Sequence, residues 1–110
     1  MPELSPQPTL ADFQAHIKAV CTERGWDKNS YSEIFLLFTE EVGELAKSIR
    51  NEAKLHAQVD PKKRFELEEE FADVFNYLLD LANYFNVDLE AAYRKKHEHN
   101  TTRAWKAKGE

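Results

Sequence analysis

Residues that interrupt α-helices are almost absent from the body of this chain. Of its three glycines and four prolines, only Gly25, Gly43 and Pro61 lie between residues 9 and 108. Apolar residues in this region recur at intervals of three and four, which is the spacing of an amphipathic helix. The sequence therefore predicts an all-α fold, with one four-helix, bundle-like domain over residues 9–106 and flexible tails at residues 1–8 and 107–110.

Helix-capping signatures indicate where the helices begin. Thr9 and Asp12 have the three-residue spacing of a capping box. Asp60 stands directly before Pro61, a residue that is favoured at the first position of a helix. The four predicted helices run from Thr9 to Gly25, from Tyr31 into the fifties, from Pro61 to Phe85 and from Asp88 to Trp105.

The charge balance argues against one broad class of partner. The 15 basic and 20 acidic residues give a net charge of −5, whereas a protein that binds nucleic-acid polymers needs a basic face. No run approaches the roughly 18 apolar residues of a membrane span, and the first residues lack the pattern of a secretory leader. The one cysteine, Cys21, follows the apolar pattern of the first helix. It is expected in the core of a cytoplasmic protein.

Three carboxylates interrupt the second predicted helix, in the sequence EEVGEL at residues 40–45. The apolar stripe of this helix consists of Ile34, Phe38, Val42, Leu45 and Ile49. On a helical wheel, Glu41 and Glu44 lie on the core side, whereas Glu40 points further outward. Two acidic side chains, three residues apart, are thus predicted to border the core.

The third predicted helix repeats this arrangement. Its apolar stripe consists of Leu67, Phe71, Val74, Leu78, Leu81 and Phe85. Glu70 and Asp73 lie on one flank of the stripe, on either side of Tyr77. Glu68 and Glu69 turn to solvent instead. Each of the two helices is therefore predicted to present a pair of carboxylates at positions i and i+3.

Carboxylates that face each other across two helices require compensation. At about 6 Å and an effective dielectric constant near 20, each pair of charges repels by about 2–3 kcal/mol. Either the carboxylates bind protons and their pKa values rise, or a divalent cation lies among them. We favour the cation, and oxygen ligands without sulfur suit Mg²⁺ or Mn²⁺. The alternative is that these charges are solvated at the edge of each stripe.

The fourth predicted helix carries Lys96, Asn100 and Arg103 at the spacing i, i+4 and i+7. They continue the stripe that begins with Leu89 and Tyr93, so they are predicted to point inward or across a cleft. Two cations and an amide beside carboxylates that hold a metal ion would suit a polyphosphate ligand. The alternative is that basic residues near the end of a helix complement its dipole.

Two other functions could use acidic clusters in a helical domain. A di-iron or di-manganese carboxylate bundle needs Glu-x-x-His pairs on two helices. The sequence contains none, because Phe13, Ala53, Arg94 and Lys96 stand three residues before its histidines. A non-catalytic helical module, whose acidic clusters form a surface for a partner, stays open at this point.

Taken together, the motifs resemble those of the MazG-like nucleotide pyrophosphohydrolases, a family that includes the dCTP pyrophosphatases. The resemblance spans about residues 24–105. It rests on an EExxE element that starts at Glu40, an ExxD element that starts at Glu70, and a KxxxNxxR element that starts at Lys96. The order and helical placement of the three elements make the resemblance specific.

The resemblance implies a MazG-type all-α fold and an enzyme that cleaves nucleoside triphosphates between the α and β phosphates. The products would be a monophosphate and pyrophosphate, Mg²⁺ would be the cofactor, and house-cleaning of nucleotide pools would be one role. By motif, the metal ligands would be Glu41, Glu44, Glu70 and Asp73, and the catalytic residues Glu40 and Glu41. The substrate would be bound by Lys96, Asn100, Arg103, Trp26 and Tyr77.

The chain is also predicted to form a homodimer or homotetramer. Its seven phenylalanines, four tyrosines and two tryptophans exceed what four short helices cover readily. The resemblance points the same way, since members of this family share sites between subunits. Association is therefore expected to contribute to the site.

Overall fold

Four α-helices make up most of the protein in the computed structural model, which describes residues 2–53 and 61–102. They are α1 (Leu10–Arg24), α2 (Tyr31–Ala53), α3 (Pro61–Tyr84) and α4 (Leu89–Thr102), with a 3₁₀ turn at Trp26–Lys28. No β-strand occurs in the described ranges, so the all-α prediction is confirmed. None of these helices is both long and apolar enough to cross a membrane. The predicted Asp60 cap and the predicted end at Trp105 lie outside the described residues.

The predicted helix boundaries are confirmed at both ends of α1 and at the start of α2. The Thr9 hydroxyl accepts a hydrogen bond from the Asp12 backbone N–H at 3.1 Å, and the Thr9 backbone N–H donates to the Asp12 carboxylate at 2.9 Å. Gly25 ends α1 with φ of 74°, a left-handed conformation that favours glycine. At the start of α2, the Glu33 backbone N–H donates to the Ser30 hydroxyl at 3.2 Å.

The helices α2 and α3 pack against each other and run antiparallel. Near the end of α2, the Arg64 guanidinium of α3 donates a hydrogen bond to the Glu52 carboxylate at 2.8 Å. At the opposite end, the ring centroid of Tyr31 lies 5.9 Å from those of Tyr84 and Phe85. This pairing brings the middle of α2 next to the middle of α3.

The apolar core lies between α1 and α3. Its buried members are Ile17, Cys21 and Leu79, and Phe13, Phe75 and Leu89 pack against them. Leu79 is fully buried, and the rings of Phe13 and Phe75 meet edge to face with centroids 5.3 Å apart. The prediction that Cys21 is a core residue is therefore confirmed.

A buried glutamine, Gln14, joins α1 to the turn between α3 and α4. Its side-chain amide donates to the Asn83 side chain at 3.1 Å and to the Val87 carbonyl at 2.8 Å. Its side-chain oxygen accepts from the Leu89 backbone N–H at 3.0 Å, and the Asn83 amide donates to the Gln14 carbonyl at 2.8 Å. Such a satisfied polar network fixes one arrangement of the helices.

The predicted apolar stripe of α3 is partly wrong. Phe71, Leu78 and Phe85 are 55%, 42% and 57% exposed, whereas Leu79 and Ala82 are buried. The reason is that α3 packs against both α1 and α2. It therefore buries parts of two faces, and a single stripe does not describe them.

The predicted orientation of the α4 stripe, inward or across a cleft, is not seen for Tyr93 and Lys96 in the single chain. This helix packs on α1, and Leu89 is the residue that reaches the core. Tyr93 is 74% exposed, and Lys96 is exposed as well. On the stripe of α4, Leu89 and Asn100 are thus at least half-buried, whereas Tyr93 and Lys96 between them are exposed.

Candidate functional site

Three of the four predicted metal-binding carboxylates lie together where α2 faces α3. Glu41 comes from α2, and Glu70 and Asp73 come from adjacent turns of α3. One oxygen from each lies within 4.8 Å of the others. The antiparallel pairing of α2 and α3 creates this cluster, because it sets the middle of one helix against the middle of the other.

The electrostatics of the cluster favour proton or cation binding. At such distances and an effective dielectric constant near 20, each pair of ionised carboxylates repels by about 3–4 kcal/mol. Burial raises the pKa of Glu41 to about 7, helped by hydrogen bonding with Glu70 and by the negative charge of Asp73. Within the described ranges, no lysine or arginine pairs with these three carboxylates. The cluster thus lacks internal neutralisation.

The donor set of the cluster fits a hard divalent cation. All three side chains offer oxygen, which Mg²⁺ and Mn²⁺ prefer. In addition, Glu70 Oε2 is buried, and no amide, hydroxyl or cationic group among the described residues donates a hydrogen bond to it. A buried carboxylate oxygen without a donor is costly, and a cation would remove that cost.

The other two carboxylates of the EExxE element lie outside the cluster. Glu40 and Glu44 are both exposed. The charge of Glu40 still contributes to the raised pKa of Glu41. Glu44 lies one turn after Glu41 on the same side of α2, so a change of rotamer would bring it closer. Its role as a metal ligand stays a prediction.

The carboxylates open into a cleft of about 620 Å³ between α1, the 3₁₀ turn, α2 and α3. Glu41 and Asp73 line the cleft, and so do the predicted substrate-binding residues Trp26 and Tyr77. This volume lies in the range of small-molecule sites in proteins. Two of the four predicted metal ligands and both predicted aromatic contacts therefore line one cavity.

The two aromatic residues of the cleft have distinct environments. Burial raises the pKa of Tyr77, and the neighbouring charges of Glu41 and Asp73 raise it further. The Tyr77 phenol therefore keeps its proton and remains a donor. Trp26 is 48% exposed, and the Arg24 guanidinium carbon lies 5.1 Å from the centre of its ring. This cation–π contact orients the indole at the edge of the cleft.

The predicted phosphate-binding residues of α4 lie apart from the cleft in the single chain. No described residue of α4 lines it, because α4 packs on the side of α1 instead. Lys96 is exposed and Asn100 is half-buried. Arg103 lies outside the described residues. The role of these three residues in substrate binding stays a prediction.

Comparison with known proteins identifies the family of this helical arrangement. The sequence model of the MazG nucleotide pyrophosphohydrolase domain matches residues 29–105. This segment contains α2, α3 and α4, together with all the carboxylates of the cluster. The chain belongs to this family. The resemblance seen in the sequence motifs is therefore confirmed.

Curated members of the family include proteins called dCTP pyrophosphatase 1. The chain is 36% identical over 103 residues to the protein of Rattus norvegicus, 35% to that of Mus musculus and 34% to that of Homo sapiens. Each match covers 90% of this chain and 61% of the relative. The chain thus spans about three-fifths of the length of these relatives.

The family match begins at residue 29, so part of this MazG-type cleft is built from residues that precede it. Of these, His16 and Cys21 come from α1 and were given no functional role by the sequence motifs. The His16 Nδ1 atom is buried and has no hydrogen-bond partner among the described residues. The sequence signal that could have identified His16 as a cleft residue is its position directly before Ile17, on the core side of α1.

The cysteine in the cleft is chemically inert. Burial, and to a smaller extent the nearby Asp80 carboxylate, raise the pKa of Cys21 to about 11. The thiol therefore keeps its proton at neutral pH, and a thiolate is required for attack on a substrate. Carboxylate chemistry, and not nucleophilic catalysis by cysteine, is what this cleft supports.

Proposed function

We propose that this chain is a Mg²⁺-dependent nucleoside triphosphate pyrophosphohydrolase. The observation that carries the proposal is the cluster of Glu41, Glu70 and Asp73, of which Glu41 and Asp73 line a cleft of about 620 Å³. Membership of the MazG nucleotide pyrophosphohydrolase domain family supports the reaction class. The relatives called dCTP pyrophosphatase 1 make dCTP the first substrate to test. House-cleaning of cytoplasmic nucleotide pools is the proposed role.

The proposed cofactor follows from the charge of the site. Glu41, Glu70 and Asp73 would hold the ion, and Glu44 would join them after a change of rotamer. A bound Mg²⁺ would neutralise phosphate charge and polarise the phosphoryl group. Without it, the negative charges of the cluster would repel a triphosphate. We therefore expect binding as well as turnover to depend on the cation.

The remaining residues are proposed to orient water and substrate. Glu40, beside Glu41 and outside the cluster, would orient the attacking water and accept its proton, or bind a second metal ion. Tyr77 would donate a hydrogen bond from its phenol, and the Trp26 ring offers a surface on which a base can stack. Lys96, Asn100 and Arg103 are proposed to contact phosphate or sugar.

The products of the reaction test this proposal. Incubation of dCTP with the protein and Mg²⁺ is expected to yield dCMP and pyrophosphate in one step, as followed by ³¹P NMR. Excess chelator is expected to abolish the reaction. Release of orthophosphate with dCDP, or full turnover in chelator, would overturn the proposed reaction. If no triphosphate in a panel of natural and modified nucleotides is hydrolysed, the non-catalytic interaction module becomes the better hypothesis.

We also propose that the chain is a homodimer or homotetramer. Phe35, Val42 and Ile49 of α2 are 56%, 41% and 48% exposed and follow a seven-residue spacing. Three exposed residues described above, Phe71 and Leu78 of α3 and Phe85 directly after it, follow the same spacing. Two helices that each present an apolar line with this period are typical of a helical interface. The α2–α3 pair of a second copy is the proposed partner.

Sedimentation analysis tests the proposed association. At micromolar concentration, we expect a species of at least twice the 12.8 kDa mass of the chain. Leu78→Glu is expected to shift the protein to monomers, because it would bury a charge in the interface without a counter-charge. Lys95→Glu, on an exposed position of α4, is the control. A fully active 12.8 kDa species would contradict the proposed oligomer.

A further inference from the structure

The carboxylate of Asp80 lies at a distance from the metal cluster but in the wall of the same cleft. Asp73, Tyr77 and Asp80 all line this cleft and follow the spacing i, i+4 and i+7 on α3, so they share one face of the helix. With a rise of 1.5 Å per residue, Asp80 lies about 10 Å further along the helix axis than Asp73. The face of α3 that lines the cleft therefore carries one acidic residue near the metal cluster, Asp73, and another about 10 Å away, Asp80.

The surroundings of Asp80 differ from those of the metal cluster. It is half-buried, and its neighbour is the Cys21 thiol, with which it shares a hydrogen bond. Asp80 also lines a second, smaller hollow of about 200 Å³, together with Trp26 and Asn29. Asp80 thus lines the same hollow as the Trp26 ring, together with one other carboxylate, Asp27.

The direction of a bound nucleotide follows from the two ends of the cleft. If the triphosphate lies at Glu41, Glu70 and Asp73, the sugar and base extend away from the metal cluster. The length of α3 between Asp73 and Asp80 is comparable to that of a sugar and a base together. The base would then lie beside Trp26, with its polar edge within reach of Asp80.

We propose that Asp80 determines the base specificity of the cleft and selects nucleotides whose base carries an exocyclic amino group. This inference rests on the proposed function. An ionised carboxylate offers only acceptors, and the thiol of Cys21 uses only part of its capacity. An amino group, such as N4 of cytosine, is a donor that Asp80 can pair with. Uracil presents a carbonyl oxygen at the same position, and two acceptors repel.

Two amide neighbours of Asp80 do not provide the same selection. Asn29 and Asn76 also line the cleft, but an amide carries both a donor and an acceptor. An amide can therefore pair with an amino group or with a carbonyl by rotating its side chain. Of these three residues, only Asp80 combines an acceptor-only side chain with a position at the end of the cleft remote from the metal cluster.

The comparison of dCTP with dUTP tests this inference, because the two bases differ only in the 4-substituent and in the hydrogen that uracil carries on N3. For the wild-type protein, we expect kcat/KM for dCTP to exceed that for dUTP by at least about tenfold, the loss expected for one hydrogen bond to a charged group. Asp80→Asn is expected to bring the ratio close to 1, through lower activity on dCTP and higher activity on dUTP. Asp80→Ala is expected to lower the ratio as well.

Glu69→Gln is the matched control, since it neutralises an exposed carboxylate of the same helix and is expected to keep the wild-type ratio. A merely structural role of Asp80 would lower both activities together and leave the ratio unchanged. That result, or a wild-type ratio near 1, would overturn the inference. Circular dichroism and thermal melting establish that each variant is folded.

Binding of the products dCMP and dUMP, measured by calorimetry, separates this inference from the proposed function. If the wild-type protein hydrolyses no triphosphate, the proposed function fails, while the calorimetric preference for dCMP still decides the role of Asp80. A preference of at least about tenfold that Asp80→Asn removes would support the inference. Equal affinity of the wild-type protein for the two monophosphates, or no binding of either, would overturn it.

Discussion

Replacing Glu41 by glutamine is expected to lower turnover by more than about 100-fold while the chain stays folded. Even the loss of a group that only supports a metal ligand costs about 10- to 100-fold in affinity or activity, so loss of a ligand itself should cost more. Glutamine keeps the size of the side chain but removes a negative charge from the cluster. Asp73→Asn is expected to have a comparable effect. Steady-state kinetics and circular dichroism provide the two measurements.

The control for this prediction is Glu68→Gln. Glu68 lies on the exposed side of α3, where it pairs with Arg64 at 3.9 Å, and exposed pairs of this kind contribute little to stability. The Glu68→Gln variant should therefore keep the wild-type turnover and the wild-type metal affinity. Calorimetry with Mn²⁺ should show weakened binding for Glu41→Gln and Asp73→Asn but not for Glu68→Gln. If Glu41→Gln turns over at the wild-type rate, the cluster is not the metal centre.

Variants of α4 distinguish metal binding from substrate binding in the same experiments. If Lys96 contacts phosphate or sugar, Lys96→Ala should raise the Michaelis constant or lower turnover by about ten- to a hundredfold, with unchanged affinity for Mn²⁺. Lys95→Ala, one residue further round the helix, is the matched control. Equal effects of the two variants would indicate that the basic residues complement the helix dipole and do not contact the substrate.

Much of the helical framework could be predicted from local chemistry. The capping box of Thr9 and Asp12 and the left-handed Gly25 act within a few residues of each other, so the sequence alone identifies them. The helical period likewise placed Glu41, Glu70 and Asp73 on facing flanks of α2 and α3. These three side chains come together because the two helices pack antiparallel, whereas Glu44, which the same period placed beside Glu41, is exposed and lies outside the cluster.

Tertiary packing limited the rest of the prediction. A helical wheel gives the direction of a side chain relative to its own helix but not the side on which the next helix packs. For this reason Lys96 was expected to point inward or across a cleft, whereas it is exposed on a helix that packs on α1. Leu79 was missed as the most buried residue because α3 has apolar residues on more than one face.

The cleft residues from α1 could not be predicted for a related reason. His16 and Asp80 come from helices that are far apart in sequence, and neither belongs to a repeated or recognisable motif. Both residues line one cleft only because of the angle at which α1 packs on α3, and the Gln14 network fixes that angle. Such long-range geometry is not encoded in the period of either helix.

The stability of the protein is expected to depend on pH in opposite ways with and without a divalent cation. The folded-state pKa of Glu41, about 7, lies above its ordinary value of 4.5, so the metal-free folded state holds this proton more tightly than the unfolded chain. The corresponding stability is fully present below pH 4.5 and is lost as the pH rises to about 7. After allowance for solvent screening at this half-buried site, the loss amounts to about 1–2 kcal/mol.

Thermal melting in chelator should therefore show a midpoint that falls by several degrees between about pH 5 and pH 8. In saturating Mg²⁺ the trend should reverse, because the cation binds the ionised carboxylates, and at about 100 times its Kd it stabilises the fold by about 2.7 kcal/mol. The raised pKa of Asp80 acts in the same direction as that of Glu41, so the decisive quantity is the difference between the wild type and Glu41→Gln. That variant cannot bind the proton and should flatten both trends. If the wild type and Glu41→Gln respond equally to pH and to Mg²⁺, the proton and the cation do not compete for Glu41, and the metal centre lies elsewhere.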